Sequence, residues 1–142
     1  PLDEPYFRCR VQPLLTKSCA MLACHGADGM QGTSSRFYRI YARNRLRLGK
    51  DESARNAQLT PDERAANFTA ARALVDSTDR AASVFLLKPL EQQAGGLFHR
   101  GADLFGGGDV YATPDDPDFV TLRSWVEGAK EDPKCIEPGS DQ

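Results

Sequence analysis

Two cysteines and a histidine fall within seven residues of this chain, in "CAMLACH": Cys19, Cys24 and His25. The whole sequence of 142 residues holds only four cysteines and two histidines, the other histidine being His99. The backbone around this cluster must therefore serve thiol and imidazole chemistry before it serves apolar packing. Three readings fit the local pattern. Two nearby thiols can bond to the two vinyl groups of a haem, and a histidine directly after the second thiol then lies beneath the ring and binds iron. The usual spacing is C-x-x-C-H; here it is C-x4-C-H, so two extra residues must bulge while the Cys24–His25 adjacency is kept. Cys19 and Cys24 could instead close a small disulfide loop. They could also join His25 and His99 around zinc, although adjacent Cys24 and His25 side chains diverge awkwardly for one tetrahedral ion.

The pattern around the cluster is mostly helical. Phe7, Val11, Leu14 and Leu15 share one helical face, and Pro13 predicts a kink or an end to that helix before Cys19. Residues 27–35 are rich in Gly, Ser, Thr and Asp and read as loop. In "RFYRIYARNRLRLGK", Tyr38, Ile40, Ala42, Leu46 and Leu48 share one parity, and Arg39, Tyr41, Arg43, Arg45 and Arg47 the other. That alternation predicts a small β-hairpin turning near Asn44. Thr60, Pro61 and Glu63 form a capping-box start for a helix running to about Val75. Ala82 to Leu87 reads as a short helix ended by Pro89. The glycine-rich "QQAGGLFHRGADLFGGGD" reads as an irregular loop. Asp116 and Pro117 start a last helix whose apolar stripe is Phe119, Leu122, Trp125, Val126 and Ala129, ended by Gly128 and Pro133.

Composition narrows the function. With 18 basic and 20 acidic residues the net charge is -2, which gives no strong attraction to nucleic acid or membrane. No apolar run reaches the length of a transmembrane segment, and Pro1-Leu2-Asp3-Glu4 lacks the pattern of a signal peptide. The segment from Arg36 to Lys50 is unlike the rest: it carries six positive charges and no negative one, so the remainder of the chain stands at -8. It could face an acidic redox partner, supply an arginine to a haem propionate, or be simply a solvated strand face. No Ser/His/Asp set, phosphate loop or second haem motif is present. Asp115, Asp116 and Asp118 read as helix-start chemistry, not as paired catalytic carboxylates.

The order of motifs resembles the monohaem c-type cytochrome domains of bacterial exported proteins. The matching stretches are "FRCRVQPLL", "CAMLACHG", "SVFLLKPL", "GGLFHRGADLF" and "FVTLRSWVEGAK", which together span most of the chain. The chain departs from that family in its x4 gap and in His99-Arg100-Gly101-Ala102, where the family loop resembles H-x-G-G. The resemblance implies a single all-α, cytochrome c-like domain over residues 1–142, with long irregular loops. It implies one haem c, anchored by Cys19 and Cys24, with His25 as proximal and His99 as distal iron ligand. Met21 and Met30 lie too near the attachment loop to take the distal place and read as packing residues. Leu14, Leu15, Leu86, Leu87, Leu97, Phe98 and Leu104 are the expected pocket lining. The implied role is not enzymatic: it is electron transfer to a redox partner protein by iron cycling between Fe(III) and Fe(II). An open or displaceable sixth site would instead mean gas sensing or peroxidase-like chemistry, and a haem-free module would rest on disulfides alone. Packing of the first and last helices, as in such folds, would bring Cys9 and Cys135 together as a disulfide. That agrees with a periplasmic, surface-anchored or secreted location.

Overall fold

A computed structural model describes residues 1–19, 39–97 and 110–138. Among these the structure is mostly helical, with long loops and no strand. Helix α1, residues 4–18, begins as Glu4–Tyr6, widens into a π-helical stretch over Phe7–Val11 and resumes as Gln12–Ser18. The Gln12 N–H reaches back to the Phe7 carbonyl. Pro13 has no N–H to offer the preceding turn, and the wider turn just before it lets the helix pass the proline without ending. The predicted break is thus a π-helical turn, and the helix runs on to Ser18. Helix α2 is Pro61–Arg72, α3 is Val84–Leu87 and α4 is Pro117–Val126.

The chain divides into two compact units. One comprises Glu4–Ala70 and Glu131–Gln142, the other Pro1–Asp3 and Ala71–Lys130. In the first, Phe7, Val11 and Leu15 are buried along one face of α1, and Phe7 meets Phe68 edge-on at 5.5 Å. Cys9 and Cys135 form a disulfide across 126 positions of sequence. The tail beyond residue 130 is held further by Arg8, which donates to the Cys135 and Pro133 carbonyls at 2.9 and 3.3 Å. Arg10 pairs with Glu131, and Arg64 pairs with Glu137 at 2.9 Å. Burial pushes the Glu137 carboxyl up against the pull of Arg64.

In the second unit, the Asp116 side chain accepts from the Asp118 N–H and caps α4, with Pro117 in its first turn. Phe119, Leu122, Trp125 and Val126 are buried as the stripe predicts. Trp125 packs edge-on against Phe85 at 5.3 Å and donates its indole N–H to the Asp3 carbonyl at 3.0 Å. Beyond the last turn, Gly128 takes φ +99°, a left-handed conformation that glycine enters without Cβ strain. In the first unit the capping box of α2 also forms: Glu63 N–H donates to Thr60 Oγ1 and Thr60 N–H to Glu63 Oε1. The helix stops at Arg72, three residues short of Val75, as Leu74 and Val75 tighten into i→i+3 bonds. Arg80–Ala82 is a 3₁₀ turn before α3.

The hairpin is the main correction. Residues 39–50 form no strand. A turn does occur at the predicted place, with Asn44 at φ 61° and the Ala42 N–H bonded to the Leu46 carbonyl. The flanking backbone bonds to side chains of α2 in place of a second strand. Tyr41 exchanges two hydrogen bonds with Asn67, and the Leu48 N–H donates to Glu63. Ile40 and Ala42 are buried as their parity predicts, but Leu48 is 53% exposed and Arg47 turns inward.

Candidate functional site

Of the four residues in the sequence-based site, the structure places Cys19. It is the C-cap of α1, half-buried, with its N–H bonded to the Leu15 carbonyl at 2.9 Å. Its φ of -121° takes the chain out of the helix there. Cys24, His25 and His99 lie outside the described residues, as do Met21, Met30, Arg36, Phe98, Ala102 and Leu104. What the structure supplies is the frame at the ends of the two segments that carry them.

The segment bearing Cys24 and His25 leaves from Cys19 and returns at Arg39, and both flanks lead to α2. Asn67, 1% exposed, donates to Gln12 Oε1 of α1 at 2.8 Å and to the Tyr41 carbonyl at 2.9 Å. Its oxygen accepts from the Tyr41 N–H at 2.8 Å. One turn earlier, Glu63 is equally buried and takes both Arg47 Nε and Arg47 Nη2 at 2.9 Å, together with the N–H groups of Leu48 and Thr60. Arg47 also donates to the carbonyls of Ala54, Arg55, Ala57 and Gln58. Burial alone would raise the Glu63 pKa. The Arg47 bonds, the two backbone donors and the Arg47 charge outweigh it and hold the carboxyl at about 2. Arg47 is thus a structural cation, and Arg43 donates to the Asn56 carbonyl. Arg39 and Lys50 remain exposed.

The segment bearing His99 leaves from Leu97 and returns at Val110. The Leu97 N–H donates to the Leu87 carbonyl at 2.8 Å. Gly95 adopts φ +101°, and a Cβ on Gly96 would stand 1.9 Å from the Leu90 carbonyl oxygen. On the return side Tyr111 bridges to Leu90. The Tyr111 N–H donates to Pro89 and its carbonyl accepts from Glu91, both at 2.9 Å. Tyr111 packs edge-on against Phe119. Among the expected lining residues, Leu15 and Leu86 are buried and Leu14 and Leu87 half-buried, whereas Leu97 is 41% exposed.

Sequence reasoning missed Gln12 and Asn67, and took Glu63 for a capping residue alone. The available signal was the spacing of Glu63 and Asn67, one helical turn apart on α2, but a stripe search weighs apolar residues and passes over such a pair. Comparison with protein-family models, with curated proteins and with solved structures finds no match to this chain.

Proposed function

We propose that this chain is an electron-transfer protein carrying one haem c, held by Cys19 and Cys24, with iron bound by His25 and His99. The observation that carries the reading is the adjacency of Cys24 and His25, with Cys19 five residues before Cys24. The described part of the site fits such a group. The helix ends at Ser18, and Cys19 stands half-buried where the chain turns away. The Cys9–Cys135 disulfide agrees with an oxidising compartment, periplasmic or extracellular.

A haem held here supplies one-electron chemistry between Fe(III) and Fe(II). The chain's own residues do the rest. Cys19 and Cys24 would hold the haem covalently, each thiol adding across one vinyl group with sulfur on one carbon and the thiol hydrogen on the other. His25 and His99 would supply neutral imidazole nitrogens to hold its iron, and a His99 so engaged would keep out small ligands. Arg39 and Lys50, exposed in the basic segment that follows the motif, would favour encounter with an acidic redox partner.

The test is an optical spectrum of the purified protein, oxidised and reduced, with its intact mass. The expected result is a mass increase equal to one haem and a split low-spin spectrum that carbon monoxide leaves unchanged. A spectrum altered by carbon monoxide would assign a ligand-binding or peroxidase-like role. Protein matured with the attachment machinery yet lacking visible absorption would refute the haem reading.

A further inference from the structure

The Cys9–Cys135 disulfide lies within one compact unit and has two unlike ends. Cys9 is 7% exposed, whereas Cys135 is half-buried. Arg8 Nη1 donates to Cys9 Sγ at 3.6 Å while also holding the Cys135 carbonyl at 2.9 Å. Arg8 Nη2 takes the Pro133 carbonyl, and Nε faces Glu4 at 3.4 Å. The Glu4 side chain is 49% exposed, so water screens its charge. Glu137, the other carboxylate that feels Arg8, is paired with Arg64. Across the bond, Cys135 Sγ lies 3.6 Å from the Pro5 carbonyl oxygen. A guanidinium favours a thiolate beside it, whereas a carbonyl oxygen opposes one and accepts from a thiol. When the bond opens, the negative charge therefore belongs on Cys9, and the neutral or substituted sulfur on Cys135.

We propose that Cys135 is a modification site for a small thiol of the glutathione class, with Cys9 as the leaving sulfur. The thiolate of the small molecule bonds Cys135 Sγ, the bond between Cys9 and Cys135 breaks, and its electron pair stays on Cys9 as a thiolate facing Arg8. One disulfide replaces another in this step, so nothing is oxidised or reduced overall. A second small thiol then displaces the first as a small-molecule disulfide. Cys135 leaves as a thiolate that takes a proton from water, and the two electrons gained by the protein come from the two small thiols. The tail does not depend on the sulfur link alone: Arg8 still holds its carbonyls, and Arg10–Glu131 and Arg64–Glu137 still pair. Cys9 therefore stays beside the modified Cys135 and can close the bond again by the reverse of the first step. No residue of the haem motif takes part.

The experiment uses the full folded chain, with any other thiols first blocked by N-ethylmaleimide. Glutathione is added at about pH 8, where it is partly thiolate. Iodoacetamide stops the reaction at early times, and peptide masses locate each label. The expected product carries glutathione on Cys135 and the carbamidomethyl group on Cys9, in about tenfold excess over the reverse product. Equal labelling, glutathione mainly on Cys9, or a bond that opens only at the rate of global unfolding overturns the proposal. Arg8→Gln removes the cation beside Cys9 together with two fasteners of the tail. It should slow opening about fivefold, because Cys9 becomes a poorer leaving sulfur. An Arg8 that served only to fasten the tail would give the opposite sign, since loosening the tail exposes the bond. An unchanged or faster rate in Arg8→Gln therefore overturns the role of Arg8. Arg10→Gln unties Glu131 and leaves both sulfurs their neighbours, so its rate should stay within about twofold of wild type. A slowing there equal to that of Arg8→Gln also overturns the role of Arg8. Should Arg8→Gln fail to fold, the wild-type labelling pattern decides the proposal by itself.

Discussion

The buried pair of Arg47 and Glu63 predicts a specific acid response. Replacing Glu63 by Gln keeps the side-chain length and one acceptor oxygen. It removes the charge that Arg47 meets and sets an NH₂ group against the guanidinium. The native carboxyl is held at about 2 against an ordinary value of 4.5, a difference worth about 3 kcal/mol. Screening at the edge of the loop reduces that to about 2 kcal/mol. The sign is that of a depressed carboxylate. The unfolded chain takes up the proton first as pH falls, so the contribution is complete above about pH 5 and is lost between 4.5 and about 2.

Chemical denaturation at a series of pH values, with wild type and Glu63→Gln side by side, reads this directly. At pH 7 the variant should be less stable by about 2 to 3 kcal/mol, because Arg47 is left without its counter-charge. By pH 2.5 the gap should shrink below about 1 kcal/mol, because Glu63 is by then protonated in the unfolded wild-type chain. Hydrogen exchange at the Leu48 amide, which bonds Glu63 at 2.9 Å, should follow the same profile locally. A gap that stays constant from pH 7 to pH 2.5, or a variant within about 0.5 kcal/mol of wild type at pH 7, would refute the account of Glu63 as the anchor of the 41–48 loop.

Three further outcomes are expected. Cys9→Ser with Cys135→Ser opens a link across 126 positions and should cost about 4 kcal/mol by denaturation, more than any single hydrogen bond in the tail. Gly96→Ala should destabilise the second unit by about 1 to 3 kcal/mol in thermal unfolding, since its Cβ would enter the Leu90 carbonyl, whereas Gly49→Ala, with open space around it, should be close to neutral. On the proposed electron-transfer role, Lys50→Glu should slow electron exchange with an acidic redox protein at low ionic strength, and the difference should vanish at about 0.5 M salt.

Local chemistry was the legible part of this chain. The Thr60–Glu63 capping box, the Asp116 cap and the buried face of α4 each depend on neighbours within one or two helical turns, and each forms as its residues predict. The Cys9–Cys135 bond forms too, joining α1 to the tail beyond Lys130. Long-range polar contacts were not legible. Nothing in the alternation of residues 36–50 tells Arg47 from Arg39, yet one is enclosed by a carboxylate and four carbonyls and the other is exposed. The period of two that suggested strands has a partner in Ile40 and Ala42, and it fails from Asn44 onward, where a left-handed residue reverses the chain.

The reason lies in α2. Glu63 and Asn67 stand one turn apart, both about 1% exposed, and together they receive the backbone of Tyr41 and Leu48. An apolar face would accept the loop in several registers, because burial has no direction. This polar seam accepts one: Asn67 needs a residue offering both N–H and carbonyl, and Glu63 needs the Leu48 N–H beside the Arg47 guanidinium. A shift of one residue would leave a buried carboxylate and a buried amide unsatisfied, at about 1 to 3 kcal/mol for each neutral group and more for the charge. The seam thus sets where the chain stands at Tyr41, and Gln12 sets where it stands on α1.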